Sequence, residues 1–462
     1  MDEENRLAGR MRRYAGLAGA LGGIAARAAG GQLLGRRRSD AALAADLRAA
    51  LGGLKGPAMK VAQLLATIPD ALPADYAREF TQLQAQAPAM GWPFVKRRMG
   101  AELGPDWQAR FAYFEHSAAA AASLGQVHRA RSLEGADLAV KLQYPDMASV
   151  IEADLRQLGL VLGLFRRHDP SIDTREVAAE IAARLREELD YALEAKHMAL
   201  YRHMLAETPH IHVPEPLPSL STNRLLTMTW LEGRPLLSLS AADEATRNHI
   251  AATLFRAWYV PFHHFGVIHG DPHLGNYTLA DDFSLNLLDF GCVRIFAPAF
   301  VGGVIDLYHA LRDNDAALAV HAYETWGFRK LSKPLIETLN IWAAFLYGPL
   351  LEDRPRLIAA TDKLGLYGRE QAMKVRRRLQ ALGPITPPRE FVFMDRAAIG
   401  LGGVFARLQA RVNWHRLFEE IIAGFAADTL RTRQSQALER AGLPPEIQDK
   451  AGTASGPLFP NG

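Results

Sequence analysis

Apolar positions recur with a helical period along most of the chain and give way to strand-like alternation near 111–143 and again near 225–233. The early part predicts helices at Ala41–Leu51, Pro57–Ile68 and Tyr76–Gln86, punctuated by Gly52 and Gly53 and by Pro69 and Pro73. Phe111–Glu115 predicts a strand, and Gln126–Arg131 and Asp137–Gln143 predict two more around a Glu134-Gly135 turn. Charged helices are expected at 146–167 and 174–206, followed by a rigid connector with prolines at 209, 214, 216 and 218. LLTMTWLEG at 225–233 predicts a buried strand running into a turn, and Thr246–Phe265 a helix. Further helices are expected at 299–312, 314–324, 332–346, 353–365, 368–381 and 388–409. Strands gathered early and helices gathered late describe an α+β chain.

Composition narrows the classes. At 462 residues and 49% hydrophobic, the chain can bury one large bilobal core or two to three domains. With 53 basic against 50 acidic residues the net charge is +3, which gives no general nucleic-acid footprint. Cys292 is the only cysteine, so an intrachain disulfide and a four-thiolate metal site are excluded, which suits a reducing compartment.

The first forty residues open on Asp2, Glu3 and Glu4, and their small-residue apolar run is broken at Arg27. Neither a signal peptide nor a membrane span is expected from that pattern. Leu17, Leu21 and Ile24 share one helical face among Arg10, Arg12 and Arg13, so a helix lying on an anionic membrane surface is expected beside the plainer reading of a solvated leader.

The chemistry concentrates in VIHGDPHLGN at 267–276 and LNLLDFG at 285–291. Asp271 and Asn276 are five apart, and Asp289 lies thirteen further on. Phosphoryl-transfer sites use this set: the first aspartate orients the acceptor, and the asparagine and second aspartate supply oxygen ligands to magnesium bridging the phosphates of ATP. Lys141 ends the alternation LAVK, as a phosphate-binding lysine does on a small-lobe strand. Where ordinary kinases place glycines over the phosphates, this chain has Ala118–Ala122, then Ser123, Gly125 and Gln126. Ala121, Ala122, Ser123, Gly125 and Gln126 are the expected nucleotide-covering residues, with a plain alanine helix as the alternative.

Thr229, Trp230, Leu231 and Glu232 would offer backbone groups to an adenine edge. Glu188 or Glu194 would pair with Lys141; Asp190 and Glu194 share a helical face, from which Glu188 is offset. Lys60 and Gln63, three apart, also share a face. His269 is expected to pack and hold the loop backbone, and Cys292 to be buried.

Five ordered motifs carry a resemblance. AAAAASLGQVHRA, LAVKLQYP, ELDYALEA, HGDPHLGN and LLDFG resemble the UbiB or AarF group, the atypical protein-kinase-like family that supports coenzyme Q biosynthesis. The resemblance implies a bilobal protein-kinase-like fold with an N-terminal helical extension and a mainly helical large lobe. The expected divisions are a basic leader at 1–40, the extension at 41–112, a small lobe at 113–232, a large lobe at 233–435 and a polar tail at 436–462.

It further implies that Lys60 and Gln63 of KVAQ, where Ala62 replaces the family glycine, reach the nucleotide region and exclude peptide substrates. No Ala-Pro-Glu signature follows the magnesium loop, and Trp414–Leu430 is interrupted by Arg416, Glu419 and Glu420 where family members often carry membrane-spanning helices. The expected activity is magnesium-dependent use of ATP (or ADP) in support of ubiquinone biosynthesis or lipid homeostasis. Isoprenoid or quinone-precursor lipids, an anionic membrane surface, ubiquinone-biosynthesis enzymes and a second copy of the chain are the expected partners. The expected place is the cytoplasm, peripheral to the inner membrane. A small-molecule phosphotransferase and a catalytically silent nucleotide-sensing scaffold are the alternatives.

Overall fold

Alternation and a glycine turn build the first sheet. In the computed structural model, which describes residues 89–121, 124–152, 155–156, 182–239, 242–329, 331–358, 375, 378 and 389–445, strands β2 (Gly125–Arg131) and β3 (Asp137–Gln143) pair antiparallel without interruption from Gly125 opposite Gln143 to Arg131 opposite Asp137. Gly135 closes the turn at φ 93°, a conformation that favours glycine. The leader at 1–40, the helices expected at 41–86 with Lys60 and Gln63, Ala122 and Ser123, and the tail beyond 445 lie outside the described residues.

Strand β1 (Tyr113–Ala121) pairs with β2 at one edge of this sheet, and β5 (Leu225–Thr229) flanks β3 at the other. The alanine segment is therefore neither a loop nor a helix as far as Ala121. Pairing with β2 gives its backbone a hydrogen-bonded partner, which outweighs alanine's helical preference of under about 1 kcal/mol per residue. The register slips between Phe114 and Ala118 and again between Ala118 and Ala120, so the strand that reaches Ala121 is bulged.

Helix α1 (Trp92–Leu103) buries Val95, Met99 and Leu103, spaced four apart on one face. Arg98 on the same helix donates to the carbonyls of Gln143 at 3.1 Å and Tyr144 at 3.2 Å and pairs with Glu102 at 3.1 Å. Glu102 in turn accepts from the Thr222 hydroxyl at 2.7 Å, so one charged pair fixes the helix to the end of β3 and to the turn before β5.

The helix expected at 174–206 is interrupted. Residues 182–187 are helical, 188–190 are not, and α2 runs Tyr191–Met204. The Gln143 amide donates to the Leu189 carbonyl at 3.0 Å, and the Tyr191 N–H donates to the Asn223 carbonyl at 3.2 Å. Backbone groups that would continue a helix are turned toward β3 and the 223 turn instead.

Among the described residues the chain divides into two compact units. One runs to Tyr191 and takes in Leu220–Thr227; the other comprises Ala192–Ser219 and the chain from Met228. The cause is local pairing: β5 enters the first sheet, whereas β4 (Ile211–His212) pairs in parallel with β9 (Leu285–Leu287).

The second unit is built around helix α3 (Glu244–Phe265), capped by Asp243, whose carboxylate accepts from the Thr246 N–H at 2.8 Å. Ile250, Leu254, Phe255, Trp258 and Phe262 face its core. Gly266, at φ 66°, ends the helix, and an added Cβ there would sit 2.4 Å from Gln434 Nε2. That buried amide donates to the carbonyls of Phe265 at 2.7 Å and Phe296 at 2.9 Å. Strand β7 (Val267–His269) leaves this clamp paired with β10 (Val293–Ile295), while β8 (Tyr277–Leu279) lies between β9 and β6 (Arg234–Pro235) in a second four-stranded sheet of order β4-β9-β8-β6.

Helices α4 (Pro298–Asp313), α5 (Ala316–Thr325), α6 (Lys333–Tyr347) and α7 (Arg389–Leu408) follow the expected order within two residues at each end. A helix at 353–365 does not begin as expected: β11 (Arg356–Leu357) pairs with β12 (Arg411–Val412). Asp353 holds Arg416 at 2.7 Å, and the Arg356 carbonyl accepts from Trp414 Nε1 at 2.9 Å, so tertiary contacts override the local pattern. Residues 359–374 lie outside the described residues, and of 368–381 residues 375 and 378 are described, both helical. Helices α8 (Trp414–Ile422) and α9 (Ala427–Arg440) complete the unit. Among the described residues no helix is long and apolar enough to cross a membrane.

A sheet-bearing first unit and a mainly helical second unit bear out the expected α+β, protein-kinase-like class.

Candidate functional site

The expected residues fall into two groups, one in each unit. In the first unit Lys141 stands on β3 opposite Val127, half-buried, with Nζ 5.0 Å from the centroid of the Tyr191 ring. A cation in this position is attracted by the electron-rich face of the ring. Tyr191 is buried at the start of α2, placed there by the helix interruption described above.

Gly125, at the start of β2, is required by space. A Cβ there would lie 2.2 Å from the Leu142 carbonyl oxygen and 2.9 Å from the Tyr191 hydroxyl. The backbone at Gly125 is thereby drawn against the strand that carries Lys141.

The side chain of Gln126, one of the expected nucleotide-covering residues, is committed within the first unit. It is fully buried; its Oε1 accepts from the Met90 N–H at 2.7 Å, and its Nε2 donates to the Met90 carbonyl at 3.0 Å and to His128 Nε2 at 2.8 Å. His128 Nδ1 donates to the Glu115 carbonyl at 2.8 Å, which leaves Nε2 as the acceptor and fixes the neutral tautomer. Burial pushes the His128 pKa down in agreement, although the Glu115 carbonyl bond opposes it. Any contribution of Gln126 to a ligand falls to its backbone.

Of the two candidate glutamates, Glu194 in the first turn of α2 is buried at 2% exposure, whereas Glu188 is half-buried at the interruption and Asp190 is exposed.

In the second unit the candidate residues of the 267–276 and 285–291 segments are joined by His269. The Asp271 N–H donates to its Nδ1 at 3.2 Å, so the ring proton sits on Nε2, which donates to the Asp289 carbonyl at 2.5 Å. The ring is buried against Trp258, Tyr201 and Phe290, as expected of a residue holding the loop backbone. Asn276 Nδ2 donates to the Asp271 carbonyl at 3.1 Å, and the Asn276 carbonyl accepts from the Leu288 N–H at 3.0 Å. The Asp289 carboxylate accepts from the Gly291 N–H at 3.0 Å. Backbone bonds thus connect Asp271, Asn276 and Asp289 in one network.

The donor set fits magnesium. With the Asn276 amide nitrogen turned to Asp271, its oxygen is the atom left to meet a cation, and Asp289 adds carboxylate oxygen; magnesium takes few protein oxygens and keeps water and phosphate for the rest. Among the described residues no group of three or more His, Cys, Asp and Glu side chains has the arrangement of an all-protein metal cage. His273 is exposed and accepts from the Gly275 N–H at 3.1 Å, a turn contact.

Beneath the loop, Phe290 is fully buried, and its carbonyl accepts from His197 Nδ1 at 3.1 Å. The Tyr277 hydroxyl accepts from Trp258 Nε1 at 3.0 Å; burial holds the phenol far above its ordinary pKa and the Asp271 charge adds to this, against that hydrogen bond. Cys292 departs from expectation. It is partly exposed; the Gly270 N–H donates to its carbonyl at 2.6 Å, and Gly270 packs so close to its sulfur that a Cβ there would lie 2.6 Å away.

In the 229–232 segment, the Thr229 N–H donates to the Glu215 carbonyl at 3.0 Å and the Glu232 carbonyl accepts from Asn286 Nδ2 at 2.9 Å. The Trp230 indole N–H donates to the Glu232 carboxylate.

Tyr191, His197 and His128 were not singled out as site residues by the sequence. The first two belong to the segment after ELD, and their helical spacing of six gives no sign that one ring meets a lysine and the other the Phe290 carbonyl.

A sequence profile of the ABC1 atypical kinase-like domain matches residues 82–323, a little over half the chain. The chain belongs to the ABC1 atypical kinase-like family. This bears out the resemblance carried by the five motifs, and it places the chain among UbiB- and COQ8-like proteins. This ABC1-family chain is 28% identical over 396 residues to the mitochondrial atypical kinase coq-8 of Caenorhabditis elegans, covering 81% of the chain and 50% of that protein. It is 28% identical over 381 residues to the mitochondrial atypical kinase COQ8 of Saccharomyces cerevisiae, covering 80% and 74%. The chain thus spans about half the length of the nematode relative. Among solved structures, the complex of Rv3197 with erythromycin from Mycobacterium tuberculosis matches with a TM-score of 0.57 at 28% identity, over 81% of this chain and 94% of that one.

Proposed function

We propose that this ABC1-family chain binds magnesium-ATP and hydrolyses it slowly in support of ubiquinone biosynthesis or lipid homeostasis. The observation that carries the reading is the loop network in which His269 and Asn276 lock Asp271 and Asp289 together by their backbones. Such locking holds oxygen ligands in place before a cation arrives, and preorganisation is the main contribution a protein makes to phosphoryl transfer. Asn276 and Asp289 would hold magnesium, which when bound neutralises phosphate charge. Asp271 would orient the attacking water or hydroxyl, and Lys141, poised over Tyr191, would meet the phosphates.

Lys60, Gln63 and an acidic residue of α2 complete the proposed set, Glu194 being favoured by its burial. With the Thr229 N–H already given to Glu215, base recognition falls to Trp230, Leu231 and Glu232. The proposed setting is the cytoplasmic face of the inner membrane, with an anionic lipid surface or a quinone precursor as partner. The curated relatives' descriptions as atypical kinases support an enzymatic reading.

Phosphate release from ATP by the purified chain in magnesium, with and without anionic liposomes and a phenolic quinone-precursor mimic, tests this reading. Turnover that rises with lipid or phenol and disappears in Asp289→Asn agrees with it. Transfer of phosphate to a small hydroxylated acceptor would indicate a phosphotransferase, and ATP binding with no turnover a nucleotide-sensing scaffold.

A further inference from the structure

Away from the two groups of site residues, the first unit contains a cavity of about 470 Å³ between α1, the end of β3 and the turn before β5. The volume lies within the range of small-molecule sites. Its walls divide by chemistry. Met90, Phe94 and Met147 supply apolar lining, and Arg97, Arg98 and Arg224 supply cationic lining.

Arg98 is committed to Glu102 and to two backbone carbonyls, so it shapes the wall. Among the described residues the guanidinium groups of Arg97 and Arg224 have no carboxylate partner, and both residues are exposed. Asp146 is the one acidic residue of the lining. An open, largely apolar pocket lined by two cations with no carboxylate partner among the described residues matches an organic anion that has an apolar body, because guanidinium binds phosphate and carboxylate in a paired geometry.

We propose that this cavity binds a small anionic amphiphile, with Arg97 and Arg224 taking a phosphate or carboxylate head and Phe94, Met90 and Met147 taking the apolar body. The site is separate from the nucleotide reading and does not depend on it. Gln143 lines the cavity as well, two residues along β3 from Lys141, and its amide is the group that holds Leu189 at the helix interruption before Tyr191. A ligand there would touch the strand and the turn that together position Lys141.

The head group could be presented by a soluble molecule or by a lipid, and the test separates them. The full chain is titrated without nucleotide by dodecyl phosphate kept below its micelle concentration, by dodecanol, by inorganic phosphate and by vesicles containing phosphatidylglycerol, with binding read by calorimetry. Saturable binding of monomeric dodecyl phosphate at one site per chain, weakened at least tenfold in Arg97→Ala/Arg224→Ala and partly restored in the double lysine variant, is expected. Ala101→Trp, which fills the chamber from α1, should also block it. Unchanged binding in the double alanine variant overturns the proposal, as does equal binding of dodecanol, which would mean that no head group is read. Binding of inorganic phosphate as tight as that of dodecyl phosphate removes the apolar part. Binding of vesicles without binding of the monomer would assign the arginines to a flat membrane surface rather than to a cavity. Melting temperatures of the unliganded variants within a few degrees of the parent keep these outcomes interpretable.

Discussion

His269 donates its one ring proton to the Asp289 carbonyl at 2.5 Å while its other nitrogen accepts from the Asp271 N–H at 3.2 Å. A neutral imidazole suits this position because it offers one donor and one acceptor, and the two backbone groups present the complement. Replacing it with leucine leaves both backbone groups without their side-chain partner. His269→Leu should destabilise the second unit by about 2–4 kcal/mol and abolish magnesium-ATP stabilisation. Denaturant titration with and without nucleotide measures both, and a variant of parental stability that still responds to nucleotide would refute the bridging role.

Stability should fall with acid through His263. Burial on α3 pushes its pKa down to about 3, against a small upward pull from the Tyr259 carbonyl that accepts from Nδ1 at 2.9 Å. The folded pKa lies below the unfolded one, so the stabilisation is complete above about 6.5 and is lost as pH falls toward 3. Within that window the unfolded chain holds one more proton on this residue, a slope of up to about 1.4 kcal/mol per pH unit. His128, also lowered by burial, acts in the same direction. Melting temperatures between pH 7.5 and 4.5 should drop less steeply in His263→Phe than in the parent; parallel curves would show that His263 takes up its proton in the folded chain.

Gly125→Ala tests the closeness of β2 to β3. The added methyl would meet the Leu142 carbonyl at 2.2 Å, which is backbone and gives little. A loss of about 1–3 kcal/mol is expected from such overpacking, with a change in the environment of Tyr191. Thermal melts and near-ultraviolet circular dichroism report the two effects, and a variant indistinguishable from the parent in both would contradict the geometry.

Gln143→Leu removes the donor to the Leu189 carbonyl from a site 4% exposed. A cost of about 1–3 kcal/mol follows from the carbonyl left unpaired. If the interruption at 188–190 depends on this bond, hydrogen exchange at 188–191 should slow as helix propagates through it. Exchange unchanged there would mean that the Tyr191 to Asn223 bond suffices alone.

The sequence carried the hairpin and the loop chemistry further than it carried the joints between elements. Gln126–Arg131 and Asp137–Gln143 were legible because alternation and a glycine turn agree, and His269 because a histidine beside a conformationally restricted loop packs more often than it reacts. The strand through Ala118–Ala121 was not legible because the alanines' local helical preference, the alternative reading, yields to a strand partner that no local pattern announces. Residues 188–190 look helical in isolation, and the Gln143 amide that interrupts them is 46 positions away. Arg356 and Leu357 become a strand through residues 411 and 412. The roles of Tyr191 and Gln126 rest on which way a ring or an amide turns, and periodicity does not encode that direction at a helix start or strand end.

The most direct test of the central claim is the magnesium dependence of nucleotide stabilisation in the parent and in Asp289→Asn. With ATP about 100-fold above its Kd, binding to the folded state alone should add about 2.7 kcal/mol of stability. The account predicts that this gain is present in magnesium, lost in chelator, and lost in Asp289→Asn under both conditions, while the unliganded variant melts near the parent. An equal gain in parent and variant in magnesium would contradict the assignment of Asp289 as a magnesium ligand, and with it the nucleotide site built around the loop.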